Sequence, residues 1–430
     1  MKESLDITND LEIANKILST NDLFFYNQSF YKYDSNYWKP IDTNKIKKQI
    51  LDILEDKYKQ ARVNNIIDII RLKCLKEEDE INLTKTINAL NIKNGVYYIE
   101  TGKLEPHNQN TKELYSTNLF DVEYNPGATY KRWKKFLLEI FEPDEDKQDK
   151  IHLLQEFLGL TLTRSVSFQK ALLLLGSGSN GKSKIIDVME AILGHGNYSN
   201  LELNQLSSPT YRVQLQHKLA NFCSEIDHKN KFSSSVFKSI VTGDSLTGDE
   251  KFKNPIRFKA HCKLIFATND LPKTSDTTKG YFRRLLILKF NKSFEGNEIE
   301  KDLKQNLLNE KDGIFLWLLN GLSRLNKNGK FTSCISSEIE VQQYLESSNS
   351  VVSFIAENCK IESNNNNFET YSTLYNAYRM YCSVSNLNPF SKNNFRSEIE
   401  KHYPGKILFK RRSDRGGTHF QNIKLLEEYK

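Results

Sequence analysis

The stretch "ALLLLGSGSNGKSKII", residues 171–186, constrains the fold more than any other part of the chain. It satisfies the pattern G-x-x-x-x-G-K-[ST], with a run of leucine before it and helical apolar periodicity after it. The pattern predicts a buried strand, a phosphate-binding loop and a helix, although a glycine-rich turn before a core helix is the simpler alternative. Backbone N–H groups of such a loop hold a β-phosphate, while Lys182 reaches the β- and γ-phosphates and Ser183 binds Mg²⁺. The predicted nucleotide contacts are Gly176, Ser177, Gly178, Ser179, Asn180, Gly181, Lys182 and Ser183.

A second apolar run, "KLANFCSEID" from residue 218, ends in acidic residues. In-line phosphoryl transfer depends on a positioned water and on neutralised charge more than on covalent chemistry. We therefore expect Glu225 to polarise the attacking water and Asp227 or Ser224 to complete the magnesium shell. A strand that ends in glutamate is common, so this interpretation depends on the motifs around it.

Two further motifs follow in chain order. "KLIFATNDLP" from residue 263 is an apolar run with a polar tip, where the Asn269 amide can hold the water and sense the γ-phosphate. In "KGYFRRLLILKF", Arg283 and Arg284 precede another apolar run. Such a pair can form surface salt bridges, or it can act as an arginine finger that stabilises transition-state charge from the adjacent subunit.

The order of phosphate loop, acidic strand, asparagine-tipped strand and arginine resembles the superfamily 3 helicases, a branch of the AAA+ ring ATPases. Within that branch it is similar to the phage and plasmid primase-helicase family related to the poxvirus nucleoside triphosphatase. Residues 91–325 carry the resemblance, through "EFLGLTLTRSVSFQKALLLLGSGSNGKS" and "FKSIVTGDSLTGDEKFKNPIRFKAHCKLIFATNDLP". These helicases often have a second acidic residue where this chain has Ser224. The resemblance therefore leaves open how water activation and metal binding are divided between Glu225 and Asp227.

The resemblance implies an α/β fold with an AAA+-type P-loop motor core. It also implies a homo-oligomeric ring, expected to be a hexamer, that hydrolyses ATP with Mg²⁺ at subunit interfaces and moves 3′ to 5′ on single-stranded DNA. Such helicases replicate a phage, a plasmid or a genomic island. We expect the chain to lack the primase module of larger relatives, so a separate primase is a candidate partner. The catalytic residues implied are Glu225, Asn269, Arg284 and Arg283, with Ser183 and Asp227 on the metal.

The segment "TGDSLTGDEKFKNPIRF" has turn signals at both Gly248-Asp249 and Asn254-Pro255, which predict a hairpin. In the helicases that the chain resembles, a hairpin before the sensor strand projects into the pore of the ring. Lysines there make sequence-independent phosphate contacts, and an aromatic side chain packs on sugar or base. A solvated charged loop is the alternative. The predicted DNA contacts are Lys251, Phe252 and Lys253.

The C-terminal region offers the helices "TYSTLYNAYRMYCS" and "SKNNFRSEIEKHY" and a closing basic hairpin, "KILFKRRSDRGGTHFQNIKLL". Helices followed by a basic two-stranded wing look like a winged-helix domain. Such a domain places one helix in a DNA groove and the wing on phosphates, although a charged hairpin also suits protein docking. The predicted phosphate contacts are Lys410, Arg411, Arg412 and Arg415.

The region before the loop has the pattern of a small α+β module. Aromatic and polar residues alternate over residues 23–41, which predicts a small antiparallel sheet, and a hairpin with turns at Asn94-Gly95 and Thr101-Gly102 is expected from residue 92. Amphipathic helices are predicted from residues 45, 130 and 150. We therefore predict an N-terminal module over 1–145, the motor core over 146–325 and the winged-helix-like domain over 338–430.

Composition limits the remaining classes of function. A net charge of +7 over 430 residues permits a polyanionic partner without requiring one. No apolar run approaches the roughly 18–20 residues of a membrane span, so we expect a cytoplasmic protein without a membrane partner. The six cysteines form no CxxC pair and are expected to be reduced, mostly buried thiols: Cys74, Cys223, Cys262, Cys334, Cys359 and Cys382.

Three other functions compete with a helicase. Asp121 and Glu123 have the alternate spacing of a two-metal polymerase site, but no third carboxylate or histidine motif accompanies them, so we do not predict a primase site there. A helicase loader or remodeller would show ATPase activity that a protein partner stimulates and DNA does not. An origin-binding initiator would use ATP as an assembly switch, and its duplex binding would survive Lys182→Ala. The sequence leaves the last two open.

Overall fold

The computed structural model describes residues 8–77, 81, 88–224, 226, 232–251, 254–272, 274, 276–296, 300–362, 368–385, 387, 389–411 and 417–426. The helices are α1 Asp10–Thr20, α2 Thr43–Leu54, α3 Gln60–Lys73, α4 Gln109–Lys112, α5 Lys131–Ile140, α6 Lys147–Leu160, α7 Lys182–Leu193, α8 Pro209–Arg212, α9 Ser234–Thr242, α10 Lys279–Phe282, α11 Leu303–Leu308, α12 Lys311–Asn328, α13 Ile335–Ser348, α14 Ser350–Asn358, α15 Tyr371–Val384 and α16 Lys392–His402. The strands are β1 Leu23–Tyr26, β2 Ser29–Asp34, β3 Tyr37–Ile41, β4 Ala89–Ile92, β5 Gly95–Tyr98, β6 Lys103–Glu105, β7 Ala171–Leu175, β8 Tyr198–Ser199, β9 Ala220–Cys223, β10 Ser245–Gly248, β11 Ile256–Lys259, β12 Lys263–Thr268, β13 Leu285–Lys289, β14 Cys359–Ile361, β15 Phe368–Thr370, β16 Leu408–Arg411, β17 Thr418–Gln421 and β18 Ile423–Leu425.

Contacts between residues divide the chain into two compact units. The sheet unit comprises residues 1–270 and 284–337, and the C-terminal unit comprises residues 271–283 and 338–430. The three-part domain organisation over 1–145, 146–325 and 338–430 stays a prediction.

A five-stranded parallel sheet lies at the centre of the sheet unit, in the order β13-β7-β12-β9-β8. Strands β7 and β12 are buried along their whole length, as is usual for parallel strands that are covered on both faces. The apolar runs before the phosphate loop, the acidic residues and Asn269, and the apolar run after the arginine pair, are all confirmed as strands of this one sheet. Because the strands are parallel, their carboxyl ends meet at one edge, which is where open α/β sheets bind ligands.

The elements predicted for the region before the central sheet are confirmed. Strands β1, β2 and β3 form an antiparallel sheet, and β4, β5 and β6 form a second one around the Asn94-Gly95 turn. The helices predicted from residues 45, 130 and 150 correspond to α2, α5 and α6. Helix α5 buries Trp133, Phe136 and Ile140 in the core that also surrounds the central sheet.

The C-terminal unit packs three helices against a small antiparallel sheet. Strands β15, β17 and β16 pair in that order, and β14 pairs with β18. Tyr378 of α15 stacks on Phe395 of α16 with ring centroids 4.6 Å apart, and both rings belong to the core of this unit. The two predicted helices and the closing hairpin are therefore confirmed.

All six cysteines lie in the described part of the chain and none forms a disulfide; five of them are buried, while Cys359 is partly exposed. Both observations match the prediction from the sequence. Just before β12, His261 is partly exposed and Cys262 is buried. Within the part of the chain that the structure describes, no helix is both long and apolar enough to cross a membrane.

Candidate functional site

The loop over residues 176–181 joins the end of β7 to the start of α7 through a left-handed backbone. Gly178, Ser179 and Gly181 have φ values of 100°, 46° and 90°, which glycine adopts without steric cost. A Cβ atom at Gly176 would lie 2.3 Å from Asn180 Nδ2. The glycines of the motif are therefore needed for a tight turn that directs the first N–H groups of α7 toward one point.

Lys182, the first residue of α7, is folded back onto this loop. Its side chain is only 6% exposed, and its Nζ donates hydrogen bonds to the carbonyl oxygen of Gly176 and to Asn180 Oδ1, the latter at 3.0 Å. Burial lowers the pKa of the Lys182 ammonium group. Asn180 is 3% exposed, and among the described residues its Nδ2 has no hydrogen-bond partner. The loop thus holds a buried cation and a buried amide donor with spare bonding capacity.

A cavity of about 420 Å³ opens beside the loop. Two predicted residues reach it from the carboxyl ends of neighbouring strands, Ser224 after β9 and Asn269 after β12, and both are exposed to solvent. Glu225 and Asp227 lie outside the described residues. The cavity is lined by Arg132, Phe136, Glu139, Gly178, Ser179, Asn180, Gly181, Lys182, Ser183, Lys184, Ser224, Asn269, Phe294, Glu300 and Leu303.

Helix α5 forms one wall of this cavity. The sequence interpretation did not predict any residue of α5 as part of the site. Arg132, Phe136 and Glu139 follow a spacing of four and three residues, so they share one face of α5. The carboxylate of Glu310 accepts hydrogen bonds from the N–H groups of Arg132 and Trp133, at 3.0 and 2.9 Å, and so caps the start of α5. The amphipathic period of α5 was a signal for its buried face, but no local pattern links Glu310 to it.

The structure does not bring the arginine pair to the cavity within one chain. The carbonyl oxygen of Arg284 accepts a 2.7 Å hydrogen bond from the N–H of Ala171, so Arg284 lies at the amino end of β13, beside the amino end of β7. The loop follows the carboxyl end of β7, at the far edge of the same parallel sheet. Arg283 is exposed at the end of α10. A catalytic role for Arg284 would therefore have to be played in a neighbouring copy of the chain.

The predicted hairpin before β12 is confirmed as β10 and β11, which pair in antiparallel register from Ser245↔Lys259 to Gly248↔Ile256. Lys251 is exposed at its tip, whereas Phe252 and Lys253 lie outside the described residues. The Arg212 guanidinium of α8 donates to the carbonyl oxygen of Thr247 through Nε at 3.0 Å and through Nη2 at 2.9 Å. The hairpin is thus attached to the segment that connects β8 with β9.

In the C-terminal unit, Lys410 and Arg411 are exposed on β16, opposite His419 and Thr418 of β17. Arg412 and Arg415 lie outside the described residues. Helix α16 packs beside this hairpin, since the Arg396 guanidinium lies 3.8 Å from the centroid of the Phe409 ring. Two of the four predicted phosphate contacts, Lys410 and Arg411, are therefore exposed residues of a strand whose sheet carries a helix.

The Asp121 carboxylate forms ion pairs with Lys93 and Lys311, and its Oδ2 lies 2.8 Å from Lys311 Nζ. The carboxyl group loses solvation, but its bonds to Lys311 and Lys93 outweigh that loss and lower its pKa. Asp121 therefore has a structural role.

Comparisons with known families assign three segments of the chain. Residues 11–142 match the family described as "D5 N terminal like", and residues 346–429 match the family described as "Poxvirus D5 protein-like". Residues 174–284, which include the loop and strands β9 and β12, match a "Family of unknown function (DUF5906)". The two segments that match D5-like families thus lie on either side of the loop.

Curated relatives are viral. A protein of Acanthamoeba polyphaga mimivirus named "Putative helicase" is 26% identical over 234 residues, which are 52% of this chain and 24% of that protein. A protein of African swine fever virus named "Putative primase" is 23% identical over 403 residues, which are 87% of this chain and 40% of that protein. The chain thus spans well under half the length of these relatives.

One solved structure similar to this chain is "The apo structure of NrS-1 C terminal region (305-718)". The TM-score is 0.51 at 13% sequence identity, and the match covers 96% of this chain and 99% of that chain. A second structure, the A form of the same region, matches with a TM-score of 0.50. At this level of identity the similarity concerns the fold.

Proposed function

We propose that the chain is an ATP-hydrolysing motor of DNA replication, a helicase that couples nucleotide turnover to movement along DNA. One observation carries the proposal: the buried Lys182 and the N-terminus of α7 face a cavity at the carboxyl edge of a parallel sheet, where Ser224 and Asn269 also project. A cationic side chain and backbone N–H donors at such an edge are suited to bind the phosphates of a nucleoside triphosphate. The viral relatives named for helicase and primase roles support replication as the process.

The loop fits Mg²⁺-ATP on the geometry of its own residues. Among the described residues, the Asn180 amide has a buried donor without a partner, and the Lys182 ammonium bonds to loop oxygens that a triphosphate would replace as partners. The Ser183 hydroxyl, exposed in the first turn of α7, would hold Mg²⁺. When bound, the ion neutralises charge on the β- and γ-phosphates. Glu225 would orient the attacking water, Asn269 would sense the γ-phosphate, and Asp227 or Ser224 would support the metal shell.

The position of Arg284 supports a ring. It lies at the sheet edge remote from the loop of its own chain, so a role as arginine finger requires delivery to the loop of an adjacent subunit. We therefore propose a homo-oligomer, with a hexamer as the expected size, and ATP sites between subunits. The β10–β11 hairpin with Lys251 would contact single-stranded DNA, and 3′-to-5′ movement is proposed from the superfamily 3 resemblance.

The C-terminal unit supports a second, duplex-binding function. Its elements from residue 350 onward follow the order α14, β14, β15, α15, α16, β16, β17, β18. Strand β15, helices α15 and α16 and the β16–β17 hairpin, with β17 paired between β15 and β16, have the arrangement expected of a winged helix. Lys410 and Arg411 would lie on phosphates and α16 in the groove. The C-terminal unit therefore favours, as the alternative to a helicase, an origin-binding initiator that uses ATP as an assembly switch. A primase partner stays part of the proposal.

The deciding experiment is strand displacement from a 3′-tailed DNA duplex with Mg²⁺-ATP, for wild type, Lys182→Ala and a matched Lys304→Ala control. Lys304 is an exposed lysine paired with Asp187 and does not line the cavity. Displacement by wild type and Lys304→Ala, with none by Lys182→Ala, is expected. ATPase activity without displacement would refute the helicase and favour the loader or initiator. Absence of nucleotide binding would refute the site itself.

A further inference from the structure

The cavity beside the loop extends past the residues that phosphates require. Strands β9 and β12 lie on one side of β7, and their ends carry Ser224 and Asn269. Strand β13 lies on the other side of β7, and the segment that follows it brings Phe294 to the cavity. The sheet order therefore puts Ser224 and Asn269 on one side of β7 and Phe294 on the other, and the apolar side chains of Phe136 and Leu303 also line the cavity. A triphosphate alone does not need an apolar flank.

Phe294 is fixed beside the loop by its main chain. The N–H of Phe294 donates to the carbonyl oxygen of Ser179 at 2.8 Å, and the N–H of Phe290 donates to that of Leu175 at 2.7 Å. The Lys292 ammonium lies 5.3 Å from the centroid of the Phe294 ring and pairs with Glu142 at 2.5 Å. The half-buried ring is thus held in one place relative to the phosphate loop, as a stacking surface must be.

Charged groups border the same flank. The Arg132 guanidinium contacts Glu300 Oε2 at 2.7 Å and Glu139 Oε2 at 3.1 Å, so α5 is joined to the start of the segment that leads into α11. The Glu300 side chain is 37% exposed. Carboxylate oxygens have more lone pairs than one guanidinium uses, and they accept hydrogen bonds from sugar hydroxyls and from exocyclic amines. Glu139 and Glu300, which both pair with Arg132, therefore offer such acceptors beside the Phe294 ring.

We propose that this flank is a nucleoside subsite, in which the base stacks on Phe294 and the carboxylates of Glu139 and Glu300 accept hydrogen bonds from the nucleoside. The proposal rests on the proposed binding of triphosphate by the loop. It assigns part of the affinity for ATP to residues that lie outside the phosphate-loop motif.

The test compares the affinities of ATP and inorganic tripolyphosphate, both with Mg²⁺, by isothermal titration calorimetry on the full chain. The variants are Phe294→Leu, which keeps an apolar side chain without a ring, and Phe294→Tyr, which keeps the ring. Phe168→Leu is the matched control, because Phe168 is a half-buried phenylalanine of the same unit that packs on Phe331 and does not line the cavity. We expect Phe294→Leu to weaken ATP binding about fivefold, with tripolyphosphate, Phe294→Tyr and Phe168→Leu near wild type.

The outcomes separate this proposal from the one beneath it. Loss of ATP affinity in Phe294→Leu with unchanged tripolyphosphate affinity supports the nucleoside subsite. Unchanged ATP affinity in Phe294→Leu overturns it, and so does an equal loss for both ligands, which would mean that the ring only supports the loop. If wild type binds neither ligand, the phosphate site itself is refuted. Should Phe294→Leu fail to fold, Glu300→Gln provides the same comparison, because it removes one carboxylate acceptor at an exposed position.

Discussion

Gly178 and Gly181 of the turn before α7, together with Gly196 after that helix, form a matched set of glycine-to-alanine substitutions. Gly178, Gly181 and Gly196 have φ values of 100°, 90° and 101°. A Cβ atom would meet nothing within 4 Å at Gly178 or Gly196, whereas at Gly181 it would lie 3.0 Å from Ile140 Cγ2 and from two ring carbons of Phe136. All three substitutions therefore introduce similar backbone strain, and only Gly181→Ala also presses on helix α5.

The expected losses follow from these contacts. A non-glycine residue at such φ values costs about 1–2 kcal/mol. Phe136 and Ile140 are 1% and 0% exposed, so neither can move aside into solvent. Overpacking of a buried site adds about 1–3 kcal/mol. We expect Gly178→Ala and Gly196→Ala to lower the free energy of unfolding by about 1–2 kcal/mol, and Gly181→Ala by about 2–5 kcal/mol.

Urea unfolding followed by tryptophan fluorescence measures these differences. The three tryptophans are Trp38, Trp133 and Trp317, which all belong to the sheet unit, so the signal reports on that unit. Trp133 lies on α5 with its ring centroid 5.6 Å from that of Phe136. ATP affinity should fall for the two loop variants and stay at the wild-type value for Gly196→Ala. If Gly181→Ala is no less stable than Gly196→Ala, the inference that α5 packs tightly against the loop at Gly181 is refuted.

Three further predictions concern other parts of the sheet unit. Burial, with the nearby Arg164 charge, lowers the pKa of His217 to about 3. The unfolded chain therefore binds the proton first as pH falls below about 6.5, and stability at about pH 5 should drop by about 1 kcal/mol after allowance for the half-buried ring. A pH profile of urea midpoints that His217→Asn leaves unchanged would contradict this. Arg212→Ala removes two hydrogen bonds to Thr247, so we expect DNA stimulation of the ATPase to fall while basal turnover persists; unaltered stimulation would refute the coupling. Arg284→Ala should abolish hydrolysis yet retain ATP binding, and mixing with Lys182→Ala subunits should restore some turnover, because intact arginines would then face intact loops; full activity of Arg284→Ala alone would exclude the finger.

Much of the fold could be predicted because the patterns are local. The leucine run of β7, the glycines after it and the period of α7 lie within a few residues of one another, and backbone sterics and burial act at that range. The β10–β11 hairpin followed from two turn signals. The antiparallel sheet of β1 to β3 followed from alternating aromatics. Asn269 and Ser224 could be placed at the ends of strands because each follows an apolar run, and their roles stay predictions.

The sequence by itself therefore determined the strands and the helix around the loop, the antiparallel hairpins and the two C-terminal helices, and it indicated which loop is suited to phosphate. Only the tertiary structure decided the strand order β13-β7-β12-β9-β8, which places Phe294 and Asn269 on different flanks of one cavity. It also decided that Glu310 caps α5, that Arg132 joins Glu300, and that Arg284 lies far from the loop of its own chain. These contacts join residues that are distant along the chain, and the packing of the whole sheet selects them, so no local pattern records them.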